Sequence, residues 1–168
     1  MPKHLAKPCK RLIVALLLGT TAVQAADVLV QRSIGMELGR DVANQAVLAC
    51  RKAGYQVSAV VVDKNASVRA MLRDDAAARF TLELAQRKAN MVIMGGTDSG
   101  SVAKNRGDIR TELNHIDGLI MLKGGLPIIV GGYLIGAVGV SGAPGGDKDE
   151  ACAQAALDAL EDRIAFSD

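Results

Sequence analysis

Two pairs of adjacent glycines divide residues 119–140 into three short apolar runs, and this pattern constrains the fold more than any other feature of the chain. Gly124-Gly125 separates the run 119–122 from the run 126–130, and Gly131-Gly132 separates the latter from the run 134–140. Two glycines between apolar segments are typical of a tight β-hairpin. The pattern therefore predicts three consecutive antiparallel strands late in the chain.

The remaining elements follow from hydrophobic spacing and β-branched composition. They are a helix over 33–54, strands over 56–63 and 68–72, a helix over 76–89, a short helix or irregular segment reaching about residue 115, and a helix over 147–165. Asp74 or Asp75 is the expected cap of the second helix. The last helix is predicted to bury a stripe of Ala151, Ala155, Leu157, Leu160 and Ile164. The order α-β-β-α-α-β-β-β-α indicates an α+β domain with a mainly antiparallel sheet and helices packed on it.

The first 25 residues have the three regions of a secretory signal peptide. Basic residues precede the apolar run 12–19, and Val23-Gln24-Ala25 supplies the small residues of a cleavage site before Ala26. The apolar run is much shorter than the roughly 20 residues that span a bilayer, so we expect cleavage and no stable membrane anchor. The predicted organisation is a cleaved signal peptide over 1–25, an N-terminal extension over 26–33 and a single domain over 34–165. The mature protein is expected to be periplasmic or secreted.

Removal of the leader changes the charge of the protein. The whole chain has 20 Lys and Arg against 18 Asp and Glu, and the leader carries four of the basic residues and none of the acidic ones. The mature chain therefore has 16 basic and 18 acidic residues, a formal charge of −2. Without an excess of positive charge, nucleic-acid binding has little electrostatic support.

Two cysteines remain in the mature chain, Cys50 and Cys152. An oxidising compartment allows them to form a disulfide. Both lie among alanines in predicted amphipathic helices, where free cysteine commonly acts as a small buried apolar residue. We therefore expect free thiols, with a disulfide as the alternative.

His115 is the one histidine that remains after the leader is removed, since His4 leaves with it. A single histidine excludes zinc sites that need two or three of them. His115 could ligate haem iron or carry a proton. The alternative, which the residues alone favour, is a histidine at a helix end that is hydrogen-bonded to a carbonyl group.

Two further groups of residues could bind an anion. Gly142, Gly145 and Gly146 precede the last helix, whose exposed amides could hold a phosphate or carboxylate. However, Asp147, Asp149 and Glu150 would repel it, so a capped turn is the expected structure.

Three basic residues share the second predicted helix, namely Arg79, Arg87 and Lys88. They could clamp a carboxylate. The favoured interpretation is a solvated face, with Glu83 paired to Arg87 four residues later.

An ordered string over residues 124–153 resembles the GlcG/HbpS family, also called the haem-degrading or DUF336 domain and related to the C-terminal domain of PduO adenosyltransferases. The resemblance is carried by Gly124-Gly125-Leu126-Pro127-Ile128, by Gly132, by the segment 135–142 and by Asp149-Glu150-Ala151-Cys152-Ala153. The resemblance implies a three-layer α/β/α fold with a five-stranded antiparallel sheet, a homo-oligomer, and haem or a related tetrapyrrole as ligand. The matched positions are mostly glycine and aliphatic residues, which specify fold more than activity.

The leading hypothesis is therefore an exported, non-catalytic haem-binding protein with a role in haem or iron handling or in redox sensing. His115 is the first candidate for the iron ligand, Tyr55 and Tyr133 are weaker candidates, and Arg79 or Lys88 could bind the propionates. One alternative is a small enzyme that acts on a hydroxy- or oxo-acid through the loop around Ser141 and Asp147. Another is an oligomeric interaction module without a small ligand.

Overall fold

The computed structural model describes residues 29–166, and the predicted signal peptide lies outside this range, as do residues 26–28 of the predicted extension. The helices are α1 (Met36–Lys52), α2 (Thr81–Gly95), α3 (Ser99–Asn105), α4 (Arg110–Asn114), α5 (Gly146–Ala159) and α6 (Glu161–Ala165). The strands are β1 (Ser58–Asp63), β2 (Val68–Arg73), β3 (Gly125–Val130) and β4 (Tyr133–Ser141). A 3-10 turn, Gly107–Ile109, joins α3 to α4.

The four strands form one antiparallel sheet in the order β2-β1-β4-β3. Strands β1 and β2 form one hairpin, and β3 and β4 form the hairpin predicted from Gly131-Gly132. In the β3–β4 hairpin, Gly131 and Gly132 have φ angles of 54° and 81°. Positive φ at two successive turn residues is the geometry that favours glycine, which explains the pair in the sequence. The chain is thus an α+β fold with an antiparallel sheet.

Helices cover both faces of the sheet because alternate residues of β1 point in opposite directions. Ala59 and Val61 join a core cluster with α1 and α5 on one face. Val60 and Val62 pack with Ala85, Ala89 and Val92 of α2 on the other face. All six residues of β1 are buried, so its sequence reads as a continuous apolar run.

The predicted fifth strand over 119–122 does not form, and the sheet has four strands. This segment is extended, but the N–H of Met121 donates to the side-chain oxygen of Asn114 over 2.9 Å and not to a strand. The Met121 side chain packs in a separate small cluster with Met91, Val102 and Leu113. An apolar run bounded by turns resembles a buried strand in sequence, although here its partner is a loop and helix cluster.

The expectation of free thiols is wrong in the structure, where Cys50 and Cys152 form a disulfide. The cysteines lie on α1 and α5, which pack side by side on the same face of the sheet and bring the two Cα atoms to 5.3 Å. The bond joins residues 102 positions apart. In the chain-entropy model, a disulfide that closes a loop of this length raises the free energy of unfolding by about 4.7 kcal/mol.

The second helix begins at Thr81 and not at residue 76, and Asp74 does not cap it. Asp74 binds Arg51 of α1 instead. The guanidinium of Arg51 donates to both carboxylate oxygens of Asp74, over 3.0 and 2.6 Å. This hydrogen-bonded pair lowers the pKa of Asp74 and ties the end of α1 to the end of β2.

The last predicted helix is divided near Leu160 into α5 and α6, and its buried face differs from the prediction. Ala151 and Ala155 are exposed. The buried residues of α5 are Asp149, Cys152, Ala153 and Ala156. A carboxylate therefore lies on the buried stripe.

Asp63 organises the β1–β2 turn. Its carboxylate is almost fully buried and accepts the N–H groups of Asn65 and Ser67 over 2.9 and 3.0 Å. It also pairs with the Arg69 guanidinium at 2.8 Å. Burial opposes ionisation of this carboxyl, but the amides of Ser67 and Asn65 and the Arg69 side chain outweigh that effect and lower the pKa of Asp63.

We expect Asp63→Asn to lower the free energy of unfolding by about 1.5–3 kcal/mol at pH 7, since it removes hydrogen bonds to a charged acceptor. Because the pKa of Asp63 is lowered in the folded state, its contribution is fully present above the unfolded-state value of about 3.9 and is lost as the pH falls through the folded-state value. Urea unfolding of both proteins between pH 7 and pH 3 should show the two curves converging at acid pH. The exposed Asp117→Asn serves as control, and a difference that stays constant with pH would contradict this role.

Candidate functional site

A buried ion pair between Lys88 and Asp149 joins the two helical layers. Lys88 lies on α2 and Asp149 in the first turn of α5, and each residue is 3% exposed. Lys88 Nζ donates to Asp149 Oδ2 over 2.7 Å and to the carbonyl oxygen of Val140 over 2.9 Å. Asp149 Oδ1 accepts the N–H of Ala143 over 2.9 Å. These hydrogen bonds compensate the cost of removing both charges from water.

Glycines bring α2 close enough to the sheet for Lys88 to reach this position. Gly125 and Gly139 are cross-strand partners on β3 and β4. A Cβ atom at Gly139 would lie 2.0 Å from the carbonyl oxygen of Ala85, and one at Gly125 would lie 2.5 Å from that of Lys88. Since real Cβ contacts are never this short, a side chain at either position would displace the helix.

A small cleft of about 470 Å³ lies beside the ion pair. The loop between β4 and α5 and the start of α2 form its walls. Its lining includes Thr81, Leu84, Lys88, Lys123, Ser141 and Asp149. Lys88 and Asp149 already satisfy each other, so the cleft presents a largely neutralised surface.

Lys123 stands between this small cleft and a wider one, and it lines both. Its aliphatic stem passes close to Gly100 of α3 and Gly146 of α5, where added Cβ atoms would lie 2.9 and 2.8 Å away. Its ammonium group contacts Asp147 at 2.7 Å and Glu150 at 3.2 Å. The Asp147 hydrogen bond, followed by that of Glu150, raises the pKa of Lys123, and the same contact lowers the pKa of Asp147.

The wide cleft has a volume of about 960 Å³ and lies between the α3–α4 region and α5. Part of its surface is apolar, formed by Met121, Leu122, Leu126 and Leu157. Three basic side chains, Lys104, Arg110 and Lys123, are also among its lining residues. Apolar surface beside a few charged groups is characteristic of a site for a large organic anion.

Two acidic residues of the wide cleft have separate roles. Asp98 caps α3 by accepting the Ser101 N–H over 2.7 Å. Glu150 pairs with Lys123 through Oε1, whereas its buried Oε2 has no hydrogen-bond partner within residues 29–166. This oxygen is a polar group that a ligand or water in the cleft could satisfy.

Of the predicted binding residues, the structure places Lys88 beside a cleft and the others elsewhere in the fold. His115 is exposed at the end of α4, and Arg79 is exposed before α2 with its guanidinium 4.6 Å from the centre of the Phe80 ring. Tyr133 is exposed at the start of β4. Lys88 binds the carbonyl oxygen of Val140, near the other end of that strand. Tyr133 lies about 23 Å from Val140 along the strand.

Tyr55 lines neither of these two clefts. The centre of its ring lies 5.2 Å from the ammonium group of Lys148, and both residues line a smaller cavity beside the disulfide cysteine Cys152. The predicted Glu83–Arg87 pair on α2 is confirmed. Of the five residues named for the haem site, Lys88 is the one that lines either of these two clefts.

Sequence reasoning missed Lys104, Arg110 and Lys123. No motif marks them, because they come from three different segments that meet only after folding. The acidic start of the last helix was noted as repulsive to anions, but its partner Lys123 was not. The position of Lys123, directly before Gly124-Gly125, is the feature of the sequence from which that pairing could have been predicted.

Metal-binding side chains do not cluster in the described part of the chain: no group of three or more His, Cys, Asp or Glu there could hold an ion. Residues 29–166 also contain no helix that is both long and apolar enough to cross a membrane.

Comparison with known proteins decides the family. The profile of the family described as "Haem degrading protein HbpS-like" matches residues 34–158. The chain belongs to the HbpS-like family. The GlcG protein of Escherichia coli K12 is 33% identical over 91 residues, which cover 54% of this chain and 68% of GlcG.

Solved structures agree with this assignment. A crystal structure of HbpS is 32% identical to this chain and superposes with a TM-score of 0.75, covering 83% of this chain and 98% of HbpS. A PduOC–haem complex has 22% identity and a TM-score of 0.66, covering 76% of this chain and 94% of that one, and it supports the fold alone.

We expect Lys88→Met to lower the free energy of unfolding by about 3–5 kcal/mol, because Asp149 is left buried without its cation. The double variant Lys88→Met/Asp149→Leu should recover part of that loss, as both charges are then removed. Arg87→Ala is the matched control on the same helix, since it breaks a surface pair worth at most about 1 kcal/mol. Equal losses for Lys88→Met and Arg87→Ala in urea unfolding would show that the buried pair does not hold the layers together.

Proposed function

We propose that this protein binds haem in the wide cleft between the α3–α4 region and α5. The observation that carries the proposal is the combination, in one cleft, of apolar surface and three basic side chains. Haem has a flat apolar ring and two carboxylates, so Leu122, Leu126 and Leu157 suit the ring. Lys104 and Arg110 suit the propionates.

Family membership supports the same ligand. The HbpS-like family is described as haem degrading, and the PduOC structure of similar fold is a complex with haem. A volume of about 960 Å³ is at the upper end of the range of small-molecule sites, as haem requires.

His115 is the side chain that we propose as the iron ligand. Its Nδ1 atom lies 2.6 Å from the carbonyl oxygen of Thr111, and a carbonyl can only accept, so Nδ1 donates this hydrogen bond. In the neutral imidazole, Nε2 then has the lone pair that a metal requires, and the Thr111 bond orients the ring as outer partners of ligating histidines do. Because His115 is exposed on α4, which begins with the cleft residue Arg110, we propose that a second copy of the chain completes the site in a homo-oligomer.

The alternative of an enzyme acting on a hydroxy- or oxo-acid has weaker support. The loop predicted for this activity borders the small cleft. However, Lys123 already forms ion pairs with Asp147 and Glu150, and Lys88 forms one with Asp149. No basic group of that cleft is therefore left without a carboxylate partner to attract an acid substrate.

Hemin titration of the mature protein should give a saturable Soret shift. Arg110→Ala should raise the dissociation constant about tenfold, which corresponds to about 1.4 kcal/mol for one charged hydrogen bond. Arg79→Ala is the matched control, because Arg79 is exposed and stacks on Phe80. Loss of affinity in Arg79→Ala alone would place the ligand elsewhere, and the absence of saturable binding would reject the function. His115→Ala should alter the position of the Soret band if His115 ligates the iron.

Export is part of the proposal, with periplasmic or secreted location. It is supported by the leader sequence and by a disulfide that joins α1 and α5, since such bonds persist in oxidising compartments. Expression of the full chain in a bacterial host with a secretion pathway should release a protein whose first residue, by mass spectrometry, is Ala26. Recovery of the intact chain in the cytosol alone would contradict export.

A further inference from the structure

The two cysteines of the disulfide differ in their surroundings. Cys50 is completely buried, whereas Cys152 is 5% exposed. Cys152 also lines a surface cavity of about 160 Å³ between α1 and α5, and Cys50 is not among the lining residues. The remaining walls are mostly methyl groups of Ala49, Ala53, Ala151 and Ala155. A water molecule occupies about 30 Å³ of liquid, so this cavity admits the sulfur and first carbon of a small thiol.

A cationic side chain, that of Lys148, also lines this cavity. Lys148 and Tyr55 both line it, and the Lys148 ammonium group is 5.2 Å from the centre of the Tyr55 ring. A positive charge beside a sulfur centre favours the thiolate form of an incoming thiol. Small walls, one cysteine of the disulfide and a cationic side chain thus line the same cavity, and this combination suits thiol–disulfide exchange.

We infer that Cys50–Cys152 is an exchangeable disulfide, attacked at Cys152 by a small thiol that enters through this cavity. The attacking thiolate forms a new S–S bond with Cys152 Sγ while the Cys50–Cys152 bond breaks, and Cys50 leaves as a thiolate that takes a proton from water. A second thiolate then attacks the sulfur of the bound thiol and releases Cys152. The protein gains two electrons and two protons, and two thiol molecules are oxidised to one disulfide.

Reduction acts on the clefts through α5. Cys152 lies one turn after Asp149, whose side chain binds Lys88, and on the helix that supplies Glu150, Gln154 and Leu157 to the wide cleft. With the bond to α1 broken, α5 loses its covalent link to α1 and is held by packing, by the Lys88–Asp149 pair and by the contacts of Lys123 with Asp147 and Glu150. This part of the inference rests on the proposed haem function: the reduced protein binds hemin more weakly than the oxidised one.

The rate of reduction by dithiothreitol at neutral pH tests the site directly, with free thiols counted by mass spectrometry after alkylation. We expect a rate that rises linearly with thiol concentration and falls about tenfold in Ala155→Leu, which fills the cavity from an exposed position. Lys148→Gln should slow the reaction less. Ala159→Leu, at an exposed position of α5 that does not line the cavity, is the matched control and should react at the wild-type rate.

Two results would overturn the inference. A rate independent of thiol concentration would mean that the bond is reached only after unfolding, and equal rates in Ala155→Leu and Ala159→Leu would mean that the cavity is not the path. Circular dichroism of both variants confirms that they are folded.

Hemin titration of the oxidised and reduced protein separates this inference from the proposed function. A several-fold weaker affinity after reduction supports control of the cleft, and equal affinities reject it. If the oxidised protein does not bind hemin, the proposed function fails while the exchange kinetics still decide the thiol site.

Discussion

The contact between Lys88 and Asp149 holds this architecture together, because it is the polar link between helices on opposite faces of the sheet. The ammonium group of Lys88 also binds the carbonyl oxygen of Val140, near the end of β4. The cross-strand glycines Gly125 and Gly139 allow α2 to approach the sheet closely enough for these contacts. Removing water from both charges is costly, so the arrangement is stable only as a complete set of hydrogen bonds. The start of α5 is thereby fixed in position.

Both clefts depend on that fixed start of α5. Asp149 borders the small cleft, and Glu150, in the next position, borders the wide one. Lys123 connects the two through its contacts with Asp147 and Glu150. A ligand that reached the free Glu150 oxygen, or that drew Lys123 away from its carboxylates, would change the charge distribution in both clefts at once. Lys123 is thus the charged residue that the two clefts share.

The sequence predicted the local features of the fold well and the long-range ones poorly. Gly131-Gly132 and the β-branched run of β1 specify hairpin and strand through backbone preferences that act over a few residues. The pairing of Cys50 with Cys152 depends on which helices lie side by side, and spacing does not show that. Asp149 was expected only to repel an anion at the start of the last helix, because its partner Lys88 lies 61 residues earlier on another element. The apolar run over 119–122 was read as a strand because a buried loop has the same composition.

Gly139 shows how a residue without polar side-chain contacts can be the least replaceable position of a domain. The crowding there is between backbone atoms, 2.0 Å for the smallest possible side chain, so no rotamer change relieves it. An added methyl group would push α2 away from the sheet. It would thereby move Lys88 away from Asp149 without altering either residue. The smallest side chain of any residue is therefore the one that leaves α2 in its place and the start of α5 within reach of Lys88.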